Sequence, residues 1–320
     1  MNSWKRSSRN KIFLLGGGLL LLLAVTLSLL LGSTGVTVSG TIFRYVRLPR
    51  TAACVLAGAG LSASGAVLQS VLANKLASPS IIGVNAGAGL GVTICCAAGA
   101  LSGWMISGAA FLGSLAAVTV ITLAAYRTKA SRSTVILGGV AVNAVLNALS
   151  ESIAVLFPDA AVLTTEFRIG GFSAVSHVRL IPAAVLILGA LTVLMTLTNE
   201  LDLMTLGDET AQGLGMSVRR TKTIFLLLAA LLAGASVSFA GLLGFIGLIV
   251  PHFVRKTVGN VSRVLLPACA MYGAAFVTLC DLLARTVFAP YELPVGILMA
   301  VIGGPFFVLL LLKHNSDSIE

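Results

Sequence analysis

Residues 12–31 read IFLLGGGLLLLLAVTLSLLL, a run with no charged side chain anywhere in it. A helix needs about 20 consecutive apolar residues to cross a hydrocarbon core, so this run is long enough to span a membrane. Lys5, Arg6, Arg9 and Lys11 precede it, as the basic flank of a secretion signal would. The apolar stretch is too long for such a signal, and many equally apolar segments follow, so it reads as a retained first membrane helix. The rest of the chain repeats the pattern: 57% of its 320 residues are hydrophobic, 10% are charged, and the mean hydropathy is +1.03. A water-soluble chain of this length buries a large core under a surface far richer in charge. This composition calls for lipid as solvent and for an all-α, polytopic fold.

Apolar runs set against charged or Gly/Pro-rich breaks give about ten spans, near 12–32, 51–73, 81–100, 105–126, 134–157, 180–199, 222–243, 246–258, 264–288 and 295–312. The chain reads as one membrane domain over 1–320, with tails at 1–11 and 313–320 and a polar connector at 200–221. An even number of spans places both termini on one side. With the termini cytoplasmic, 15 of the 21 Lys and Arg residues fall in inner regions, among them Lys5, Arg6, Lys129 and Lys313. The outer six are Arg44, Arg47, Arg50, Arg168, Arg179 and Arg285. Inner loops carry the excess of Lys and Arg, which favours this orientation. The formal net charge of +10 is therefore spread over short loops as a topology signal, and it forms no patch for nucleic acid.

Two regions interrupt the apolar pattern with Gly and Pro, Asn74 to Gly91 after the second span and Gly241 to Pro251 after the seventh. They lie five spans apart, so they run through the bilayer in opposite directions. Paired interruptions of that kind suggest an inverted repeat around a central pathway.

The polar punctuation carries the rest. In Arg44-Tyr45-Val46-Arg47-Leu48-Pro49-Arg50, Pro49 suits a helix start just after it. The arginines there are either snorkelling anchors or a positive rim for an acidic partner. Asp281 and Arg285 stand four apart and share a helix face, either neutralising each other or holding Arg285 on the same rim. Asn143, Asn147 and Glu151 form one stripe on the fifth span, which either lines a pathway or hydrogen-bonds to a neighbouring helix. Within the inner connector, Thr205, Leu206, Gly207, Asp208, Glu209, Ala211, Leu214 and Gly215 mark a short helix. Thr205 and Asp208 have capping-box spacing, and Gly213 and Gly215 end the helix early. A mere connector needs no such apolar and acidic pattern, whereas a docking surface for a cytoplasmic partner does.

Sites for chemistry are absent from the pattern. His177, His252 and His314 are scattered, and there is no H-E-x-x-H, paired-carboxylate or nucleophile-elbow motif. No phosphate-cradling G-x-x-x-x-G-K-[ST] loop occurs, and His252 reads as a structural residue at a helix break rather than a metal ligand. The five cysteines, Cys54, Cys95, Cys96, Cys269 and Cys280, lie in apolar stretches without ligand spacing and read as packing residues.

Six stretches together resemble the FecCD family of ABC permeases. They are RLPRT at 47–51, GAGLSASGAVLQ at 58–69, NKLASPSIIGVNAGAG at 74–89, LGDETAQGLG at 206–215, GFIGLIVPHFVR at 244–255 and ELPVGILMAVIGGPFF at 292–307. They cover nearly the whole chain in the family's order. The resemblance implies a non-catalytic subunit of ten helices, like the cobalamin permease, that imports an iron-siderophore, haem or cobalamin. It also implies a second permease subunit, two ATPases that hold the ATP and Mg, and an extracytoplasmic binding protein. No cofactor belongs to the permease itself. On the same resemblance, Arg47, Arg50 and Arg285 meet glutamates of the binding protein, and 205–215 is the coupling helix seated in the ATPase. Lys75 stands where the family has proline, Phe167 to Gly171 lacks the usual Trp and Ser, and His177 replaces a frequent Trp. An ion-coupled secondary transporter with its site at the two interruptions is the main rival, and a membrane-embedded enzyme is a weaker one.

Overall fold

The structure is a computed structural model that describes residues 2–32, 40–128 and 130–316, with side chains over 9–32, 40–128 and 130–309 and at Leu312. The readings made at the side chains of Lys5, Arg6, Lys129 and Lys313, and at residues 317–320 of the tail, lie outside the described residues. The fold is all-helical among those described. In chain order the helices are α1 (Asn2–Leu30), α2 (Gly40–Val71), α3 (Val84–Ala97), α4 (Gly103–Thr128) and α5 (Arg132–Leu156). Then come α6 (Pro158–Ile169), α7 (His177–Thr196), α8 (Thr198–Thr205), α9 (Asp208–Gly213) and α10 (Val218–Ala240). Finally α11 (Ile246–Val258), α12 (Ser262–Thr286) and α13 (Val295–Ser316) complete the bundle.

Each of the ten expected segments is a helix, but only seven of the described helices are long and apolar enough to cross a membrane alone. The 14-residue α3 and 13-residue α11 are too short, and each follows one of the two Gly/Pro-rich interruptions. In α13, the described apolar stretch is Val295–Leu309. α6 was not anticipated; Pro158 at its first turn followed by Asp159 is a helix-start signal.

The centre of the bundle is α2, packed between α10 and α12. In α2, 78% of the apolar window is buried, against 17% in α1 and in α5, which stay on the rim. Small residues let the central helices touch at backbone distance. A methyl added at Gly58 would strike the Gly273 carbonyl, and one at Gly65 would strike Gly247. Lipid supplies no hydrophobic drive for helix association, so such close contact is what binds membrane helices.

α2 corrects one expectation. The helix does not start after Pro49 but at Gly40, and it runs through the proline by widening into a π turn over Phe43–Arg47. The Leu48 N–H reaches back to the Phe43 carbonyl, and the wider turn accommodates a ring that cannot donate a hydrogen bond.

The order long helix, break, short helix, long helix, long helix occurs twice, as α2–α5 and as α10–α13 with α11 in the short position. The two sets run antiparallel. The end of α10 is stitched to Phe167–Gly171, and Gly171 donates its N–H to the Ala240 carbonyl. Gly170 in turn accepts from Gly296 at the start of α13, just past the Glu292 that meets Arg50 near the start of α2. Both short helices are entered through a left-handed residue, Gly83 (φ 94°) before α3 and Phe245 (φ 65°) before α11. Glycine takes that conformation freely, whereas Phe245 is held there with its ring against the Cβ-free notch at Gly303 of α13.

Candidate functional site

Three constellations organise the polar chemistry. At the end where α2 begins, Arg50 and Arg285 converge on Asp281, which is 1% exposed. Arg50 donates from Nε to both Asp281 oxygens (3.1 and 3.0 Å) and from Nη2 to Oδ1 (3.0 Å), while its Nη1 reaches Glu292 at 2.6 Å. The Arg285 Nε lies 3.6 Å from Asp281 Oδ2, and its Nη2 donates to the Ser28 carbonyl and hydroxyl at 2.7 Å each. Arg47 donates from Nη1 to the Leu29 and Leu30 carbonyls (3.1 and 2.6 Å), closing the C-terminus of α1 where a cation suits the helix dipole. All three arginines are buried within the subunit, and Arg44 is the exposed one of the group. Arg50, Glu292, Arg179 and Glu166 line a cavity of about 650 Å³ at this end.

At the opposite end, α8 and α9 meet at a corner whose Gly207 has φ 104°. The corner turns at a glycine, not at the expected cap: Thr205 is the last residue of α8 and its hydroxyl donates to the Asp202 carbonyl (2.7 Å), so it caps nothing in α9. Asp208, at the first position of α9, accepts from Arg132 Nε (2.8 Å) and Nη2, and Lys222 Nζ lies 3.9 Å from its other oxygen. Ala211 is buried beneath the short helix, while Leu206, Glu209 and Leu214 are exposed around it. Beside it lies a cleft of about 520 Å³, where the Arg219 guanidinium sits 3.6 Å above the Tyr126 ring.

The third constellation is the polar stripe on α5, and the structure divides it. Asn143 donates from Nδ2 to the Ser80 and Ile81 carbonyls (2.8 and 3.1 Å), pinning α5 to the first break. Gly139, one turn earlier, leaves room for the Ile81 carbonyl. Asn147 and Glu151 face out of the subunit. His252 packs edge-on to Phe306. His177 accepts or donates through Nε2 at the Arg44 carbonyl (2.7 Å), and Lys75 is exposed.

The residues that sequence reasoning missed are Glu292 and Arg132. Glu292 sits in the 292–307 motif and Arg132 opens a span, but the partners they meet here, Arg50 and Asp208, are distant along the chain. Only the fold brings them together.

The sequence profile of the FecCD transport family matches residues 14–313. The chain belongs to the FecCD family. Among its relatives, the Fe(3+)-citrate import system permease protein YfmE of Bacillus subtilis (strain 168) is 38% identical over 274 residues, 84% of this chain and 81% of that protein. The vitamin B12 import system permease protein BtuC of Salmonella typhi is 35% identical over 323 residues, 97% of each chain. A solved structure described as an inward-facing conformation of a putative metal-chelate type ABC transporter superposes with a TM-score of 0.86 at 29% identity, over 94% of this chain and 98% of that one. The FecCD assignment makes the chain a multi-pass membrane protein of the permease fold.

Proposed function

We propose that this chain is the membrane permease subunit of a binding-protein-dependent ABC importer whose cargo is a metal chelate of the ferric-siderophore, haem or cobalamin class. The observation that carries the reading is the contrast between the ends of the bundle. One end gathers Arg47, Arg50 and Arg285, and the other presents a short helix flanked by exposed Leu206, Glu209 and Leu214. An apolar and acidic knob of that size buries nothing by itself and suits a cleft in a partner ATPase. With the termini cytoplasmic, the knob faces the compartment that holds ATP and Mg, and hydrolysis takes place on that partner rather than on this chain. The arginine end then faces the binding protein, whose carboxylates approach Arg50 through the cavity beside Glu292.

Asn147 and Glu151 fit the same reading. A carboxylate or amide facing hydrocarbon is expensive, so such groups turn toward water or protein. On the uncovered α5 they would face a pathway shared with a second permease subunit, the same chain or a homologue.

The test is uptake of a ferric chelate into proteoliposomes carrying the permease, its ATPase and its binding protein. Uptake requires ATP and the binding protein; uptake that survives ATP depletion and collapses with an ion gradient assigns the chain to ion-coupled transport instead. Arg44→Glu, at the exposed arginine of this end, lowers the affinity of the binding protein for the complex without altering ATPase affinity. Unchanged affinity leaves the arginines of this end to their contacts within the subunit.

A further inference from the structure

Arg132 occupies an unusual place. It is the first residue of α5, its side chain is 14% exposed, and it bridges two other helices at once. One Nη2–H reaches the Met204 carbonyl at the C-terminus of α8 (2.8 Å), and the Nε and Nη2 edge holds Asp208 at the start of α9. It thereby clamps both sides of the Leu206-Gly207 corner. Among the described residues α5 otherwise packs chiefly on α3, α4 and α6, and the Arg132 guanidinium ties it to the corner. Asn143 lies ~16 Å further along the helix at 1.5 Å per residue, and there α5 is pinned to the Ser80 and Ile81 carbonyls. Beyond that point come Asn147 and Glu151, which face out of the subunit.

From this geometry we propose that Arg132 is the positioning residue through which displacement of the α8–α9 corner is delivered to α5. Pulled at Arg132 and held at Asn143, a stiff helix swings its far half, and Asn147 moves with it. The inference rests on the reading that 205–215 seats in an ATPase. Lys222 holds the other Asp208 oxygen from α10 only at 3.9 Å, so of the two cations at Asp208 the closer one belongs to α5, while α8 itself packs on α2 and α12.

The experiment uses the assembled complex of permease, ATPase and binding protein in liposomes, with Asn147→Cys as a reporter and Cys95→Ser to remove the native thiol that is not buried. Maleimide labelling of the reporter is compared with and without ATP and vanadate. The parent complex changes its labelling rate about fivefold or more on trapping, within the usual range of coupling between sites. Arg132→Glu abolishes that change while ATP hydrolysis is retained, and the exchange Arg132→Asp with Asp208→Arg restores it. Arg132→Lys, which cannot span both Met204 and Asp208, gives an intermediate change and serves where the glutamate variant fails to assemble. A parental response in Arg132→Glu, or no response in the parent, overturns the proposal. Cross-linking from Glu209→Cys to the ATPase tests the seating separately. Cross-linking with a normal Arg132→Glu response removes only the Arg132 link, whereas absence of cross-linking removes the seating itself.

Discussion

Asp281 lies between Arg50 and Arg285, and Asp208 lies between Arg132 and Lys222, so each end of the bundle has a carboxylate held by two cations, with Glu292 as a second carboxylate on Arg50 at the first end. The two differ in their access to water. The side chain of Asp281 is 1% exposed and that of Asp208 is 41% exposed. A pair at a given separation interacts about four times more strongly at an effective dielectric of 20 than in bulk water. Removing one member of the desolvated set leaves buried charge poorly balanced, whereas at the other end water reaches Asp208 itself and offsets part of the loss, although Arg132 and Lys222 are mostly buried. The buried cluster therefore acts as a fixed staple joining α1, α2 and α12. The hydrated one is a joint that can be loaded and released, as a moving part requires.

Four measurements sharpen or break that contrast. Asp281→Asn has the largest effect, about 3–5 kcal/mol of stability, because buried Arg285 loses its carboxylate and buried Arg50 is left with the one-third-exposed Glu292; thermal unfolding of the purified protein in detergent reads it. Glu292→Gln comes next. Its carboxylate is one-third exposed and accepts from Arg50 Nη1, so the loss is about 1.5–3 kcal/mol, the range for a hydrogen bond to a charged group. Asp208→Asn costs less, about 1–1.5 kcal/mol in the same assay, because water reaches Asp208 although Arg132 and Lys222 are mostly buried, while hydrogen exchange in α9 accelerates. Salt gives the smallest effect. Raising it from 0.1 to 1 M shortens the screening length from about 10 to about 3 Å, which loosens α9 and leaves the Asp281 cluster unmoved. Equal losses from Asp281→Asn and Asp208→Asn would abolish the distinction between staple and joint.

The positions of the ten segments were legible because lipid forces long apolar runs, and the two breaks were legible because Gly and Pro mark them. The start of α2 was misread, since a π turn that absorbs Pro49 leaves no trace in a hydrophobicity pattern. Thr205 was misread because spacing alone cannot show that the chain has already turned at Gly207. In the candidate site, the pairing of Asp281 with Arg285 was open to view at four residues' separation, while Arg50 meets Asp281 across 231 residues and Arg132 meets Asp208 across 76. Asn143, Asn147 and Glu151 are evenly spaced in the sequence. Only the position of the first break decides that one of them binds a neighbour and the other two do not.

The distance between Arg50 and Asp281 along the chain also sets an order of assembly. At about 5–20 residues per second of synthesis, the 231 residues that separate them take roughly 10–50 s to make. Through that interval Arg50 has no Asp281, and the Ser28 carbonyl has no Arg285. This seam of the protein is thus sewn late, from the ninth membrane segment back to the first two. Chains halted before Asp281 leave that seam open to water and to proteases.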